Sequence, residues 1–377
     1  MFQRRLNELR VRLLLVPQGP LLIKEGRHLA DPQAGRALVR EFGDYEKEQL
    51  PRVFNPAATR YPAQPRRRDG RGLGTYDSPD SCFDMAFVWS QTAKGPAFYL
   101  PGSSLRGVLR SAAERTVARW SPEWAMAGDP FHSATQHWVE RQRKNETKVS
   151  NADIYRMAGP IERCFGYTSL RGRWTLGDAW MRSGVEAEVV VRDGVGIDRH
   201  SGAAMSGIKF QFEAIVGGIF ETTLTMVNVE LWQLGLLAYS LAALDDGAVR
   251  LGYGTRRGLG RVRVGVESLE LRWYGMAPDS EGGLVRVPTL HELSERAGLG
   301  PTSYGLRDGG MELRLPLQPA EGTLVRSWRI EPARKAEGTD WAASPWPELA
   351  KLLPAALSGW EIPAELRDLI GTTEDRP

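Results

Sequence analysis

The stretch Tyr99-Leu100-Pro101-Gly102-Ser103-Ser104-Leu105-Arg106-Gly107-Val108-Leu109-Arg110 holds a strand end, a tight turn and a helix start. Phe98 to Leu100 read as a short buried strand. Pro101-Gly102 turns the chain, and Ser103 or Ser104 offers a side-chain oxygen to cap the helix. Leu105, Val108, Leu109, Ala112, Thr116, Val117 and Trp120 then recur at helical spacing and define one apolar face. Arg106, Arg110, Glu114, Arg115 and Arg119 lie off it. The helix start thus combines backbone N–H groups, two hydroxyls and arginines in its first two turns, a setting that attracts anions and phosphate above all. An ordinary capped helix with a solvated basic face carries the same pattern.

Upstream, Leu9–Val16 reads as a strand, followed by a Pro-Gln-Gly-Pro turn and a second apolar piece, Leu21–Lys24. Downstream, residues 172–180 read as a bent strand. Val185–Val191 and Lys209–Ile215 read as the arms of a long hairpin whose tip, within about 192–212, is small and polar. Phe220–Val227 is another strand, and Asn228 is placed to cap a helix that ends at Asp245-Asp246-Gly247. Arg261–Leu271 alternates as a strand does. A strand-helix-strand unit is therefore used twice. The alternation favours an α+β fold: an antiparallel sheet in a ferredoxin-like or RNA-recognition-motif-like core. This core spans residues 1–274, with insertions at about 31–75 and 121–160. The first insertion carries Arg60, Arg66, Arg67, Arg68 and Arg71; the second carries a mixed-charge run at 140–148 that reads as an exposed loop or helix end. Residues 275–377 read as a C-terminal extension with short elements such as 289–297 and 349–357.

Composition narrows the classes. Of 377 residues, 42% are hydrophobic and 25% charged, as in globular proteins. The net charge of +3 is too small to name a polyanionic partner by itself, so the distribution of charge decides. Two cysteines, Cys82 and Cys164, cannot build a disulfide framework, and a reducing cytoplasm is the expected location. The five histidines form no HExxH pattern, which argues against a zinc hydrolase. No run approaches the ~20 apolar residues of a membrane span.

Leu251–Arg263, LGYGTRRGLGRVR, sets Gly252, Gly254, Gly258 and Gly260 among Arg256, Arg257 and Arg261. A nucleotide-binding glycine loop runs from strand to helix, whereas here a helix precedes and a strand follows. Glycines let a backbone approach its ligand closely, and the interleaved arginines suit a phosphodiester chain. A flexible turn is the plainer reading.

Four segments in order resemble one family: residues 99–110, Cys164-Phe165-Gly166 with Gly177-Asp178-Ala179, residues 196–204 (GIDRHSGAA), and residues 252–262 (GYGTRRGLGRV). They are similar to the RAMP superfamily of CRISPR-associated proteins, nearest to the backbone subunits of type III effector complexes of the Csm and Cmr kind. The resemblance implies a cytoplasmic ribonucleoprotein subunit of antiviral defence that binds crRNA and faces target RNA. Its partners would be other RAMP subunits and the large and small subunits of the complex, with no membrane. It implies that Ile197–Ala204, with Arg199 and His200, is a β-hairpin thumb that kinks the guide. Ser103, Ser104, Arg106 and Arg110, together with Gly252, Gly254, Arg256, Arg257, Gly258, Gly260 and Arg261, would bind its backbone. It also implies cleavage of guide-paired target RNA with Mg2+ or Mn2+ held by an aspartate shortly before the Pro-Gly-Ser-Ser turn. Asp84 lies 17 residues before Pro101 and is favoured on spacing; Asp77 stands in a matching Asp-Ser-Pro and is the second choice. One carboxylate cannot complete a site for phosphoryl chemistry, so the remaining charge stabilisation would come from arginines, RNA geometry or a neighbouring subunit. Two alternatives stand beside this: a non-catalytic guide-binding or end-capping subunit, and a metal-independent guide-processing ribonuclease with His28 as acid–base group.

Overall fold

The computed structural model describes residues 4–24, 87–92, 95–129, 133–182, 185, 187–320, 327–331, 334–335, 338–342 and 345–370. Asp77, Asp84, Cys82, His28 and the arginine-bearing insertion at 31–75 lie outside them.

In chain order come strand β1 (Asn7–Pro17), the hairpin β2 (Trp89–Thr92) and β3 (Gly95–Leu100), and helix α1 (Gly102–Trp120). Four short helices follow: α2 (Pro122–Ala127), α3 (Ala134–Lys144), α4 (Asn151–Met157) and α5 (Pro160–Phe165). The chain then forms β4 (Trp174–Leu176), β5 (Ala179–Met181), the long hairpin β6 (Ala187–Ile197) and β7 (Ala204–Gly217), and β8 (Phe220–Val227). Helix α6 (Leu231–Asp245) and strand β9 (Val262–Trp273) complete the second unit. Beyond them lie α7 (Leu290–Arg296), β10 (Gln318–Pro319), β11 (Ser327–Ile330) and α8 (Trp346–Leu357).

The sheet runs β10-β11-β9-β1-β8-β5-β3-β2, with β4 also pairing β8. Its centre is the ferredoxin-like order: fourth strand, first, third, second, with every neighbour antiparallel. In β1, Leu9, Val11, Leu13 and Leu15 are buried under the helices, while Arg10 and Arg12 alternate to the other face. The hairpin departs between β5 and β8, where the sequence places it, and its arms run on through most of the stretch 192–212 expected to be tip. Its arms pair from Ala187 with Gly217 to Ile197 with Ala204.

Two capping expectations are corrected. Helix α1 receives no side-chain cap from Ser103 or Ser104, because Pro101 holds the N-cap position and both serines face solvent in the first turn. The Gly102 N–H instead donates to Asp178 Oδ1 at 2.7 Å, so the cap comes from the β4–β5 turn. Asn228 does not cap α6, whose N-cap is Glu230. Asn228 sits at φ +54 and staples the sheet: its Oδ1 accepts the Leu6 N–H at 2.7 Å and its Nδ2 donates to Arg4 O at 3.0 Å.

Within the insertion at about 121–160 the described residues form α2, α3, α4 and the start of α5, and the mixed-charge run at 140–148 is the exposed end of α3 with the turn after it. The side chains of Trp124 and Tyr155 are almost fully buried. Glu162, also buried, accepts the hydroxyls of Ser133 and Thr135 at 2.5 and 2.7 Å and the Gly159 N–H at 3.0 Å. The C-terminal extension shares the main core. Strand β11 extends the sheet at β9, and α8 lies against α6 so closely that a Cβ on Gly235 would come within 2.7 Å of Leu349 O. That contact accounts for α6 being apolar all round: it is covered by the sheet, by α1 and by α8.

Candidate nucleic-acid interface

The glycine-rich loop is built by the segment that follows β1. Gly260 N–H donates to Pro20 O at 2.9 Å, Tyr253 N–H to Leu22 O at 2.8 Å, and Gln18 N–H to Arg261 O at 2.9 Å. The loop closes on itself through the Leu251 N–H to Gly260 O bond at 2.9 Å. Gly252 and Gly260 have φ of +77 and +82, and a Cβ on either would collide with a carbonyl oxygen, at 2.2 Å from Leu22 and 2.0 Å from Leu251. Only glycine permits those approaches. Gly254 and Gly258 flank a single 3-10 turn, Thr255–Arg257, and a Cβ on Gly258 would meet open space. The turn thus presents Arg256 and Arg257 to solvent from a rigid base; Arg261, also exposed, follows it.

This loop faces the flank of α1 across a groove of about 400 Å³. One wall is Ser104, Gly107, Ser111 and Arg115; the other is Ala248, Arg250, Thr255 and Arg256. Arg115 Nη1 donates to Ala248 O at 3.3 Å and Arg250 Nη1 to Thr255 O at 3.3 Å, which fixes both walls. Among the described residues the groove is lined by three arginines and no carboxylate. Small residues recur one helical turn apart on α1 and leave room for a backbone to approach. Ser104 and Arg256 of the expected set meet here.

Other expected residues are engaged elsewhere. Arg106 Nη2 donates to Phe165 O, and its guanidinium lies 5.9 Å from the Phe165 ring. Burial, and next the charge of Arg110, lower the Arg106 pKa. Arg110 bonds Glu114 at 2.8 Å and Gly128 O at 3.2 Å. Both arginines tie α1 to neighbouring elements. Asp178 answers the positive end of α1, so an anion in the groove meets the side of the helix rather than its tip.

At the hairpin tip, Asp198 Oδ1 accepts the backbone N–H groups of His200 and Ser201 at 2.7 and 2.9 Å. Those bonds, the one to Ser201 first, hold its carboxyl below the usual range. Arg199 and His200 are exposed on this turn, and Val195, Ile197 and Met205 add exposed apolar surface beside it.

The open sheet face is the alternative that an RNA-recognition-motif-like core suggests. A groove on it is lined by Arg10, Arg12, Glu270 and Arg329. There Arg12 pairs with Glu267 at 3.4 Å, Arg182 with Glu267 at 3.2 Å, and Arg272 with Glu270 at 2.8 Å. Paired charges give a polyanion little net attraction, so the carboxylate-free groove beside α1 is the stronger anion site.

Among the described residues no group of three or more His, Cys, Asp or Glu side chains is placed to hold a metal ion. The chain leaves the described core at Lys24 and re-enters at Phe87, and these two are bridge partners. The Phe87 N–H donates to Glu213 Oε2 at 2.9 Å, at the root of the hairpin. The sequence pattern carried no sign of Glu213 in this role, because its partner lies 126 residues away.

Fold and groove together define a class: an antiparallel ferredoxin-like protein with a basic, glycine-walled groove and a protruding hairpin. Residues 92–263 match the model of the RAMP superfamily. No curated protein matches the chain.

Proposed function

We propose that this protein is a crRNA-binding backbone subunit of a type III CRISPR effector complex. The observation that carries this reading is the groove between α1 and the glycine loop, which joins two motifs 150 residues apart in sequence and offers arginines without carboxylates. A phosphodiester chain lying there meets arginines from both walls, and the exposed hairpin stands ready to interrupt a guide's base stack. Affinity from phosphate contacts falls linearly in log–log form with salt. Changing Arg256, Arg257 and Arg261 together to Ala should therefore weaken RNA binding across sequences and flatten the salt slope by roughly one per lost contact. An unchanged slope would remove the phosphate role.

The proposal extends to cleavage of guide-paired target RNA, with Asp84, or else Asp77, supporting Mg2+ or Mn2+. Its structural support is positional. Three residues after Asp84 the chain re-enters the core at Phe87 beside Lys24, and Lys24 stands over Tyr253 of the glycine loop. In an assembled complex with a matched target, Asp84→Ala should leave target binding near normal and slow cleavage on the order of 10²-fold. Asp77→Ala tests the second choice. Full activity in both variants would leave a non-catalytic guide-binding or end-capping subunit.

A further inference from the structure

Tyr253 stands between two glycines at the rim of the groove, 37% exposed. Its backbone is pinned by the bond to Leu22 O, so the ring is presented from a fixed stem. Lys24 Nζ lies 5.8 Å and the Arg257 guanidinium carbon 6.0 Å from the ring centroid. Two and three residues further along the loop, Thr255 and Arg256 line the groove itself. The exposed Trp120, by contrast, leans on the Tyr239 ring at 5.0 Å and fills a gap between helices.

Two long basic side chains thus stand over an exposed ring that neighbours a basic groove, and both can swing from the ring to a nucleotide's phosphates as a base takes the ring face. Single-stranded nucleic acids are held by this pairing of an aromatic face with nearby positive charge, and the stacking tolerates any base because every base has a π face. We propose that Tyr253 is a stacking platform for one unpaired nucleobase of the RNA in the groove, with Lys24 and Arg257 taking the phosphates beside it. This rests on the groove being the RNA site and adds to it a contact that reads bases rather than charge.

The test uses the full chain and a 5′-labelled single-stranded oligouridylate, with a matching probe that carries abasic sites, followed by fluorescence anisotropy over a salt series. The unaltered chain should bind the base-bearing probe on the order of 10-fold more tightly than the abasic one. Tyr253→Leu should lose that preference while keeping the salt slope, and Tyr253→Phe should restore it. Equal binding of the two probes by the unaltered chain, under steep salt dependence, overturns the stacking platform and leaves the phosphate groove standing. No salt-dependent binding by the unaltered chain overturns both. The abasic comparison needs no variant, so a Tyr253→Leu chain that fails to fold does not decide the matter.

Discussion

At Gly260 a single added methyl group has no room. Its Cβ would sit 2.0 Å from Leu251 O, and φ is +82. At Gly258 φ is +89, but the Cβ would enter open space. Gly258→Ala therefore costs only backbone strain, about 1 kcal/mol, and Gly260→Ala adds a main-chain collision that raises the loss to on the order of 3 kcal/mol. Denaturant unfolding of the two variants checks this, and equal losses would mean that the loop relaxes freely. The glycine run was legible as a backbone close to something. What it lay close to was not, because Pro20 and Leu22 stand far away in sequence. Arginine roles were the harder reading. Arg106 and Arg256 look alike in the sequence, yet one donates to Phe165 O within the fold while the other lines the groove. Lying off the apolar face of a helix is not the same as being free for a ligand.

Among the elements, α1 shows how a helix boundary can be read correctly and its cap missed. Its end at Trp120 followed from the periodicity, but its N-terminal partner, Asp178, comes from the β4–β5 turn. Asp178→Ala should cost about 1 kcal/mol, the scale of a lost N-terminal cap. Measured by thermal unfolding, no change would mean that the Gly102 N–H finds water at no cost. The hairpin makes the opposite prediction. Residues 198–203 bond to one another through Asp198, and 199–203 are exposed. Replacing 197–204 by a Gly-Ser turn should leave the unfolding temperature unchanged within error and, under the proposed function, disturb the regular spacing of target cleavage. Loss of folded protein would place the tip in the core. Helix α6 announced its own burial: LWQLGLLAYSLAALD is apolar on every side. Its cover, α8, could not be named from that run alone.

Across the whole molecule, the extension is part of the fold it extends. Around Glu230, at the start of α6, Arg163 pairs at 3.1 Å with both side chains fully buried, Tyr155 donates its hydroxyl at 2.6 Å, and the Arg307 N–H reaches the other carboxylate oxygen. Asp308 accepts N–H groups from Leu231, Leu290 and His291, so one carboxylate anchors the starts of α6 and α7. Burial first, and the charge of Glu230 next, push the Asp308 pKa up to about 7. In the unfolded chain the same group loses its proton near 4. The folded state therefore holds the extra proton between those values. Its stabilising contribution is complete at the acid end of the window and declines as pH rises toward 7, with a slope approaching about 1.4 kcal/mol per pH unit. Subtracting the stability curve of Asp308→Asn should isolate that decline; parallel curves would remove Asp308 as its source. The sequence marked the change of texture near residue 275. It could not show that α8 and β11 complete the sheet and its helical layer, since the contacts that place them, with α6 and β9, are long-range.

The bridge between Lys24 and Phe87 has a consequence in polymer terms. Bridge partners sit about one strand spacing apart, ~5 Å. A flexible chain joining two such points is a ring closed once, and ring-closure entropy grows only as the logarithm of length, about 0.6 kcal/mol per doubling. The fold is nearly indifferent to how long that ring is. A four-residue turn in its place should leave the groove and its RNA affinity intact while removing both Asp77 and Asp84. A change of length between Lys24 and Phe87, where Asp77 and Asp84 stand in the sequence, therefore carries little closure cost for the described core.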